Sequence, residues 1–314
     1  LRRISDVKIA IMGSGGIGGY FGGRLAAAGQ DVTFIARGDH LKAMQADGLK
    51  IESEHHGDAV VKPVQATDDP SSVGPVDYII FGVKLWATAD AAEDMKPMIG
   101  PDTMVVSFQN GVEFNDIIGG IVGMEHMVGG IAQCSTTIAA PGVIKQMAPL
   151  QRIVMGELTG GTSDRIDALV AALKAVDVVA ESSENIQKEI WLKFVFLASL
   201  AATTTLTRQG IGAIREDDEM RAFLMDCMRE IVAVGRAKGI DLDEDQPEKT
   251  FGFIKTLPEG MVASTLHDLN KGIKIEMPWL SGAVDHLGQD VGVDTPAHRT
   301  VFAGLKAFSA DRVW

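Results

Sequence analysis

The stretch Val7-Lys8-Ile9-Ala10-Ile11-Met12-Gly13-Ser14-Gly15-Gly16-Ile17-Gly18 decides the fold of this 314-residue chain. An apolar run typical of a buried strand ends at Gly13, and three glycines then match the pattern G-x-G-x-x-G before a helical stretch. Glycine permits the tight turn and the close backbone approach that a pyrophosphate needs at a helix N-terminus. A plain glycine-rich turn is the alternative, but strand, motif, helix and second strand follow in register. We therefore expect a dinucleotide to contact Gly13, Gly15, Gly16, Ile17 and Gly18.

Short β-like runs alternate with helical stretches through the first half of the chain, which predicts a parallel, doubly wound sheet. These runs cover residues 7–12, 31–36, 78–83, 104–108 and 127–132. Further strands are predicted at 143–147, 153–157 and 178–181, and the first two of these, separated by Pro149, predict an antiparallel extension. We assign residues 1–183 to this Rossmann-type domain, so the fold class is α/β.

The second half of the chain, residues 184–314, predicts an all-helical domain. Its amphipathic stretches lie at 184–205, 217–239 and 261–274, and another follows Pro278. The run from Ile190 to Thr207 approaches membrane-spanning length, but it carries Lys193 and four threonines and is followed by Arg208. A buried helix is therefore the better interpretation.

Composition and charge narrow the classes of function. A chain with 46% hydrophobic and 23% charged residues has an ordinary globular balance. Its net charge of −13 would repel phosphate backbones and anionic lipids, so we expect no nucleic acid and no membrane among its partners. Cys134 and Cys227 are too few for a disulfide framework, which favours a reducing, cytoplasmic location. Arg2 and Arg3 superficially resemble the start of a signal peptide, but glycines interrupt the apolar run behind them.

Two cations follow predicted strands at the edge of the sheet where ligands of such folds bind. Arg37 stands at the end of the second strand, where an NAD enzyme places an acidic residue on the ribose hydroxyls. A cation there suits a 2′-phosphate, which predicts NADP(H) as the cofactor, whereas a solvated surface charge is the alternative. Lys84 follows the third strand and is expected to contact cofactor or substrate, with a surface lysine at a helix start as the alternative.

Asn110 and Lys193 are the further candidates that the local sequence offers. Asn110 ends the fourth strand, where its amide could hydrogen-bond a substrate or a nicotinamide, but Asn-Gly is also a common turn pair. Lys193 lies in a helix that is apolar nearly all round. Burial lowers the pKa of an ammonium group and makes it a usable proton donor for carbonyl reduction. A lysine that snorkels to the surface is the open alternative.

The whole chain resembles the 2-dehydropantoate 2-reductase (ketopantoate reductase) family. The resemblance spans both predicted domains, and its motifs occur in the family's order. They are Gly13-Ser14-Gly15-Gly16-Ile17-Gly18, Val83-Lys84-Leu85-Trp86, Gln109-Asn110-Gly111, Trp191-Leu192-Lys193, the stretch 264–276 and Thr295-Pro296.

This resemblance implies a helical domain of the 6-phosphogluconate-dehydrogenase C-terminal type and NADPH-dependent reduction of ketopantoate to pantoate, a step of pantothenate biosynthesis. It implies that Lys193 is the general acid and that Glu276 hydrogen-bonds the reacting oxygen and the lysine. Asn110 assists in the substrate cleft, Ser264 holds the substrate carboxylate, and Lys84 lies on the cofactor side.

The sequence departs from the family pattern at two positions near the substrate. Leu197 and Met261 stand where the family usually has asparagines. Loss of two amides would make the pocket more apolar and remove hydrogen-bonding groups that select a hydroxylated substrate. The run Ile275-Glu276-Met277-Pro278 keeps the carboxylate in altered surroundings.

Three functions stay open on the sequence. The first is a ketopantoate reductase proper, the second a relative that reduces a different, more apolar 2-oxo acid, and the third a non-catalytic NADP-binding sensor. Retention of Lys193 and Glu276 argues against the sensor. The histidines lack ligand spacing, so we expect no metal. Apolar helices of the second domain could form a homodimer interface.

Overall fold

The computed structural model describes residues 7–309, so Arg2 and Arg3 lie outside the described part. The chain divides into two compact units. The first unit comprises Leu1–Gln109 and Phe114–Ile186, and the second comprises Asn110–Glu113 and Gln187–Trp314.

A ten-stranded mixed sheet forms the first unit. Its strands are β1 (Lys8–Met12), β2 (Asp31–Ile35), β3 (Leu49–Glu52), β4 (Ala59–Val61), β5 (Gln65–Thr67), β6 (Tyr78–Phe81), β7 (Met104–Ser107), β8 (Met127–Ala140), β9 (Val143–Gly156) and β10 (Val179–Ser182). The order β5-β2-β1-β6-β7-β8 is parallel throughout. Within this parallel part, the chain adds strands on one side of β1 first and then, from β6 onward, on its other side. A doubly wound sheet binds its ligand at the carboxyl ends of the strands where this change occurs.

Alternation along β1 explains why the sheet is covered on both faces. Ile9 and Ile11 belong to one buried cluster, whereas Ala10 and Met12 belong to another, because successive strand residues point to opposite faces. The helices of this unit are α1 (Gly16–Ala27), α2 (Gly38–Asp47), α3 (Thr88–Asp94), α4 (Phe114–Val122) and α5 (Asp164–Lys174). The predicted α/β class is confirmed.

The extension of the sheet differs from the prediction of two strands separated by Pro149. One strand, β9, runs from Val143 to Gly156 and pairs antiparallel with β8. The pairing is irregular between Cys134 and Thr136, opposite the part of β9 that holds Pro149. A proline is tolerated there because a residue outside the regular ladder does not need to donate its backbone N–H.

The second unit is helical, as predicted. Its helices are α6 (Ile186–Thr207), α7 (Ile211–Glu216), α8 (Asp218–Ala237), α9 (Gln246–Ile254), α10 (Ser264–Asn270), α11 (Ser281–Val291) and α12 (Pro296–Leu305). The predicted helix at 261–274 is shorter in the structure. Ala263 is extended before α10, and Gly272 has a φ of 71° soon after its end.

α6 contributes several residues to the second unit's core. By length and hydropathy it could cross a membrane, but most of its residues are buried in the protein. Trp191, Phe194 and Val195 belong to the apolar cluster of this unit. Thr203 and Thr204 satisfy their hydroxyls by donating to carbonyls four residues back in the same helix. The interpretation as a buried core helix agrees with this packing.

His298 lies fully buried in the same unit, on α12. Its Nδ1 lies 3.1 Å from the Ser281 hydroxyl, and its Nε2 lies 3.0 Å from the Cys227 carbonyl oxygen. Because the lowered pKa of His298 keeps the ring neutral at pH 7 and only a protonated Nε2 can donate to a carbonyl, the single proton lies on Nε2, and Nδ1 accepts from the Ser281 hydroxyl. Burial lowers the pKa of His298 to about 4.

Candidate active site

The glycine-rich loop joins β1 to α1 at the carboxyl edge of the parallel sheet. Gly13 has a φ of 96°, and a Cβ at this position would stand 2.6 Å from Val83 Cγ1. A Cβ at Gly18 would overlap the carbonyl oxygen of Gly13 and would stand 2.8 Å from Ile11 Cγ2. Steric contacts therefore require glycine at both positions.

Gly15 is different, because nothing lies within 4 Å of the place where its Cβ would stand. Its φ of −74° is also open to any residue. Packing therefore does not explain this glycine. The open space at the start of α1 fits a pyrophosphate that approaches the backbone, as the motif predicts. Gly16, in contrast, lies against the backbone of Thr136. A Cβ at Gly16 would stand 2.7 Å from the Thr136 carbonyl oxygen.

Ser14 anchors the loop to the second strand. Its backbone N–H and its hydroxyl both donate to the Ile35 carbonyl, at 3.2 and 2.9 Å. The carbonyl oxygen of Ser14 lies 2.9 Å from Nε2 of His40, a residue of α2. The backbone N–H of Gly142, in the turn between β8 and β9, donates to His40 Nδ1 at 3.0 Å. Sequence reasoning missed this contact of His40, since its partners are backbone groups far away in the chain.

Arg37 and Lys84 are both exposed at the same edge of the sheet. Arg37 precedes α2, and its guanidinium donates to Asp94 at the end of α3, 2.7 Å away. Lys84 follows β6, and its Nζ lies 5.6 Å from the centre of the Trp86 ring. Both cations thus lie at the edge of the sheet that carries the glycine-rich loop.

Gln109 and Asn110 are neighbours in sequence but belong to different compact units. Gln109 is buried in the first unit, where its amide donates to the Val83 carbonyl and the Thr88 hydroxyl at 3.0 and 2.8 Å. Asn110 groups with the second unit and stays partly exposed. Gln109 therefore braces the ends of β6 and β7, a structural role that a turn motif did not reveal.

The short segment Asn110–Glu113 belongs to the second unit, and one hydrogen bond ties its end to α11. The His286 Nε2 lies 2.7 Å from Glu113 Oε1. Gly111 has a φ of 92°, and a Cβ on it would stand 3.3 Å from the Trp279 carbonyl oxygen. The position beside Asn110 therefore needs glycine, and the chain bends at this Asn-Gly pair.

Lys193 and Glu276 interact within the second unit. Part of the Lys193 side chain is accessible, yet its ammonium group is densely surrounded, and desolvation lowers its pKa to about 8. The Glu276 carboxylate opposes that shift by its charge. Glu276 itself is partly exposed just before the single turn Met277–Trp279. A lysine in this state can hold and release a proton near neutral pH.

Ser264, Leu197 and Met261 all lie in the second unit. Ser264 is exposed and is the first residue of α10, whose start is tied to α6 because the Ala263 N–H donates to Thr204 Oγ1 at 3.3 Å. Leu197 and Met261 are partly buried and pack against the second unit's apolar cluster. Within residues 7–309, no group of three His, Cys, Asp or Glu side chains could hold a metal ion.

Comparison with known proteins supports the resemblance seen in the sequence. The family described as "Ketopantoate reductase PanE/ApbA" matches residues 9–160, and its C-terminal counterpart matches residues 185–309. A 2-dehydropantoate 2-reductase from Pyrococcus abyssi is 30% identical, with 97% of this chain and 98% of that protein covered. The uncharacterized oxidoreductase YkpB from Bacillus subtilis is 29% identical, with coverage of 98% and 100%.

Solved structures agree with this relationship. A PanE/ApbA family ketopantoate reductase from Ralstonia eutropha superposes with a TM-score of 0.87 at 31% identity, covering 96% of this chain and 98% of that one. The protein is therefore an oxidoreductase that acts on a CH–OH/C=O pair, reduces a 2-oxo acid and uses a pyridine nucleotide. It is a member of the ketopantoate reductase (PanE/ApbA) family.

Proposed function

We propose that this enzyme reduces the 2-oxo group of ketopantoate to the hydroxyl group of pantoate with NADPH. The observation that carries the proposal is the state of Lys193, a densely surrounded lysine beside Glu276 whose pKa is lowered to about 8. A surface lysine that only snorkels past an apolar stem would keep its ammonium hydrated, and desolvation would not lower its pKa.

The first unit's own residues fit a phosphorylated dinucleotide. The space beside Gly15 and the N–H groups at the start of α1 suit the pyrophosphate. Arg37 offers an exposed guanidinium at the end of β2, where an acidic residue would favour NAD. Lys84 adds a second cation at the same edge. These features support NADP(H) as the cofactor.

In the proposed reaction the bound reduced nicotinamide supplies a hydride to the carbonyl carbon. The carbonyl π bond breaks, and its electron pair goes to oxygen. The Lys193 ammonium gives its proton to that oxygen and becomes a neutral amine, which balances the hydride with one proton. Glu276 favours the protonated form of Lys193 and so restores it for the next turnover. The amine regains its proton from solvent.

Asn110 and Ser264 are the proposed substrate contacts. The Asn110 amide can donate to the reacting oxygen or to the substrate carboxylate, and Gly111 fixes the turn that presents it. The exposed Ser264 hydroxyl can donate to the carboxylate. Both residues belong to the unit that carries Lys193 and Glu276.

A second candidate substrate is a more apolar 2-oxo acid. Leu197 and Met261 support it, because both are partly buried among apolar residues and neither can hydrogen-bond a substrate hydroxyl. A site without such groups discriminates weakly in favour of the hydroxylated acid. We further propose that the enzyme works in the cytoplasm, in keeping with its two free cysteines, and that it forms a homodimer.

The test is NADPH oxidation by the purified enzyme with ketopantoate and with a panel of branched and aromatic 2-oxo acids. Lys193→Ala should lower turnover by about 10² or more, the usual worth of a positioned acid, and should leave NADPH binding nearly intact. Lys188→Ala is the matched control, since Lys188 lies on the same helix in a surface pair with Asp241. If only the apolar 2-oxo acids are turned over, one of them replaces ketopantoate as the proposed substrate. Unchanged turnover in Lys193→Ala would refute the role of Lys193.

A further inference from the structure

His40 makes two hydrogen bonds that together fix its protonation state. The N–H of Gly142 donates to Nδ1, so this nitrogen carries no proton. The neutral ring then carries its proton on Nε2, which donates to the Ser14 carbonyl oxygen at 2.9 Å. Burial also lowers the pKa of His40, in agreement with a neutral ring.

The contact with Ser14 sets the direction of the next peptide group. In a planar trans peptide the C=O of one residue and the N–H of the following residue point in opposite directions. Since the Ser14 carbonyl points towards His40 on α2, the Gly15 N–H points away from α2. The Gly15 carbonyl, in turn, accepts the first hydrogen bond of α1 from Gly19, at 2.7 Å.

We propose that His40 is a positioning residue of the cofactor site, which holds the Ser14–Gly15 peptide so that the Gly15 N–H faces the pyrophosphate of the bound dinucleotide. Gly15 makes such a support necessary, because a peptide next to glycine rotates at little steric cost. The two bonds from the Ser14 N–H and hydroxyl to Ile35 hold residue Ser14, and the bond from His40 holds the carbonyl of the Ser14–Gly15 peptide itself. The Gly142 turn orients the imidazole ring.

This inference rests on the proposed binding of the dinucleotide at the glycine-rich loop. It makes His40 a residue that acts on cofactor affinity through the Ser14–Gly15 peptide. Removal of the contact should weaken dinucleotide binding, since a donor to a charged group must then be oriented at the moment of binding. Turnover at saturating cofactor should change little, because the reacting groups remain in place.

Two substitutions separate the two bonds of His40. The amide of His40→Asn can accept from Gly142 but is too short to reach Ser14. His40→Gln has the length to donate to the Ser14 carbonyl. His126→Leu is the control, because His126 is also a partly buried histidine bound to a backbone carbonyl, that of Thr103, 2.8 Å away.

The measurement is the dissociation constant for NADPH by fluorescence titration of the full chain, together with KM and kcat for the 2-oxo acid that the wild type reduces. We expect His40→Asn to raise Kd and the KM for NADPH about tenfold, on the scale of one hydrogen bond to a charged group, with kcat within about twofold. His40→Gln should recover most of the affinity, and His126→Leu should bind as the wild type does.

Equal affinity of His40→Asn and the wild type overturns the inference, and so does an equal loss in His126→Leu. A loss in His40→Gln as large as that in His40→Asn also overturns it. Failure of the wild type to bind NADPH would instead refute the proposed cofactor. The two failures are therefore distinguishable in the same titrations.

Discussion

The Glu276 carboxylate raises the pKa of Lys193, while burial lowers it to about 8. The two effects act on one ammonium group inside one unit, and desolvation is the larger. The result is a lysine that is mostly protonated at neutral pH and loses its proton as the pH rises through about 8. A fully hydrated lysine would hold its proton too firmly to be a good donor.

The pH dependence of turnover should report this balance. Reduction needs the protonated Lys193, so kcat should fall about tenfold per pH unit above a pH of about 8, whereas the reverse oxidation should rise to a plateau there. Glu276→Gln removes the charge that raises the pKa and should move the inflection to lower pH. Initial rates between pH 6 and 10 in both directions check this, and an inflection that Glu276→Gln leaves in place would contradict it.

Arg37→Asp should weaken NADPH binding far more than NADH binding. The substitution removes the guanidinium proposed to meet the 2′-phosphate and places a second carboxylate near Asp94, which now pairs with Arg37. Asp94→Asn is the matched control, because it frees Arg37 without removing it and should keep the preference for NADPH. Fluorescence titration with both cofactors measures the ratio of the NADH and NADPH dissociation constants. An equal loss of affinity for both would refute the role assigned to Arg37.

Gly15→Ala should lower the affinity for NADPH, whereas Gly18→Ala should lower the stability of the fold. No atom lies near the Cβ that Gly15→Ala adds, so the free protein should melt close to the wild-type temperature, while NADPH affinity falls at least about tenfold because the methyl group occupies the pyrophosphate's space. Gly18→Ala should lower the melting temperature instead, since its Cβ overlaps the Gly13 carbonyl. A Gly15→Ala protein that binds NADPH normally would show that the ligand lies elsewhere.

His298 should make the stability of the fold depend on pH in the acid range. The unfolded chain takes up this proton below a pH of about 6.5, whereas the folded chain does so only at about 4. The stability that neutral His298 contributes is therefore complete above pH 6.5 and is lost as the pH falls towards 4. Urea unfolding at pH 7.5 and 5 should show a smaller difference for His298→Gln than for the wild type. His56→Gln, at an exposed histidine, should keep the wild-type difference.

The sequence predicts those parts of the molecule whose causes are local. The loop from Gly13 to Gly18 stands out because close contacts at Gly13 and Gly18 exclude every other residue, and the loop follows a strand of four buried residues, Ile9 to Met12. Lys193 stands out because a cation in an apolar helix needs an explanation. These signals lie within a few residues of the features they predict.

Features set by distant partners were not visible in the same way. β3, β4 and β5 are only three or four residues long. Even the alternation in β3, where Leu49 and Ile51 are buried, is too short to identify a strand, so these strands depend on pairing with other strands. His40 meets Gly142 across 102 positions, and Glu113 meets His286 across 173. No spacing rule connects such residues, because only the folded backbone brings them together.

The chain passes from one compact unit to the other at 109–110, at 113–114 and at 186–187. A fragment cut to begin at Gln187 would thus leave Asn110 behind with the other piece. It would also deprive His286 of the Glu113 carboxylate that lies 2.7 Å away. Split or permuted versions of the enzyme must therefore carry Asn110–Glu113 along with the helices. The helical unit is not encoded by one uninterrupted piece of the gene.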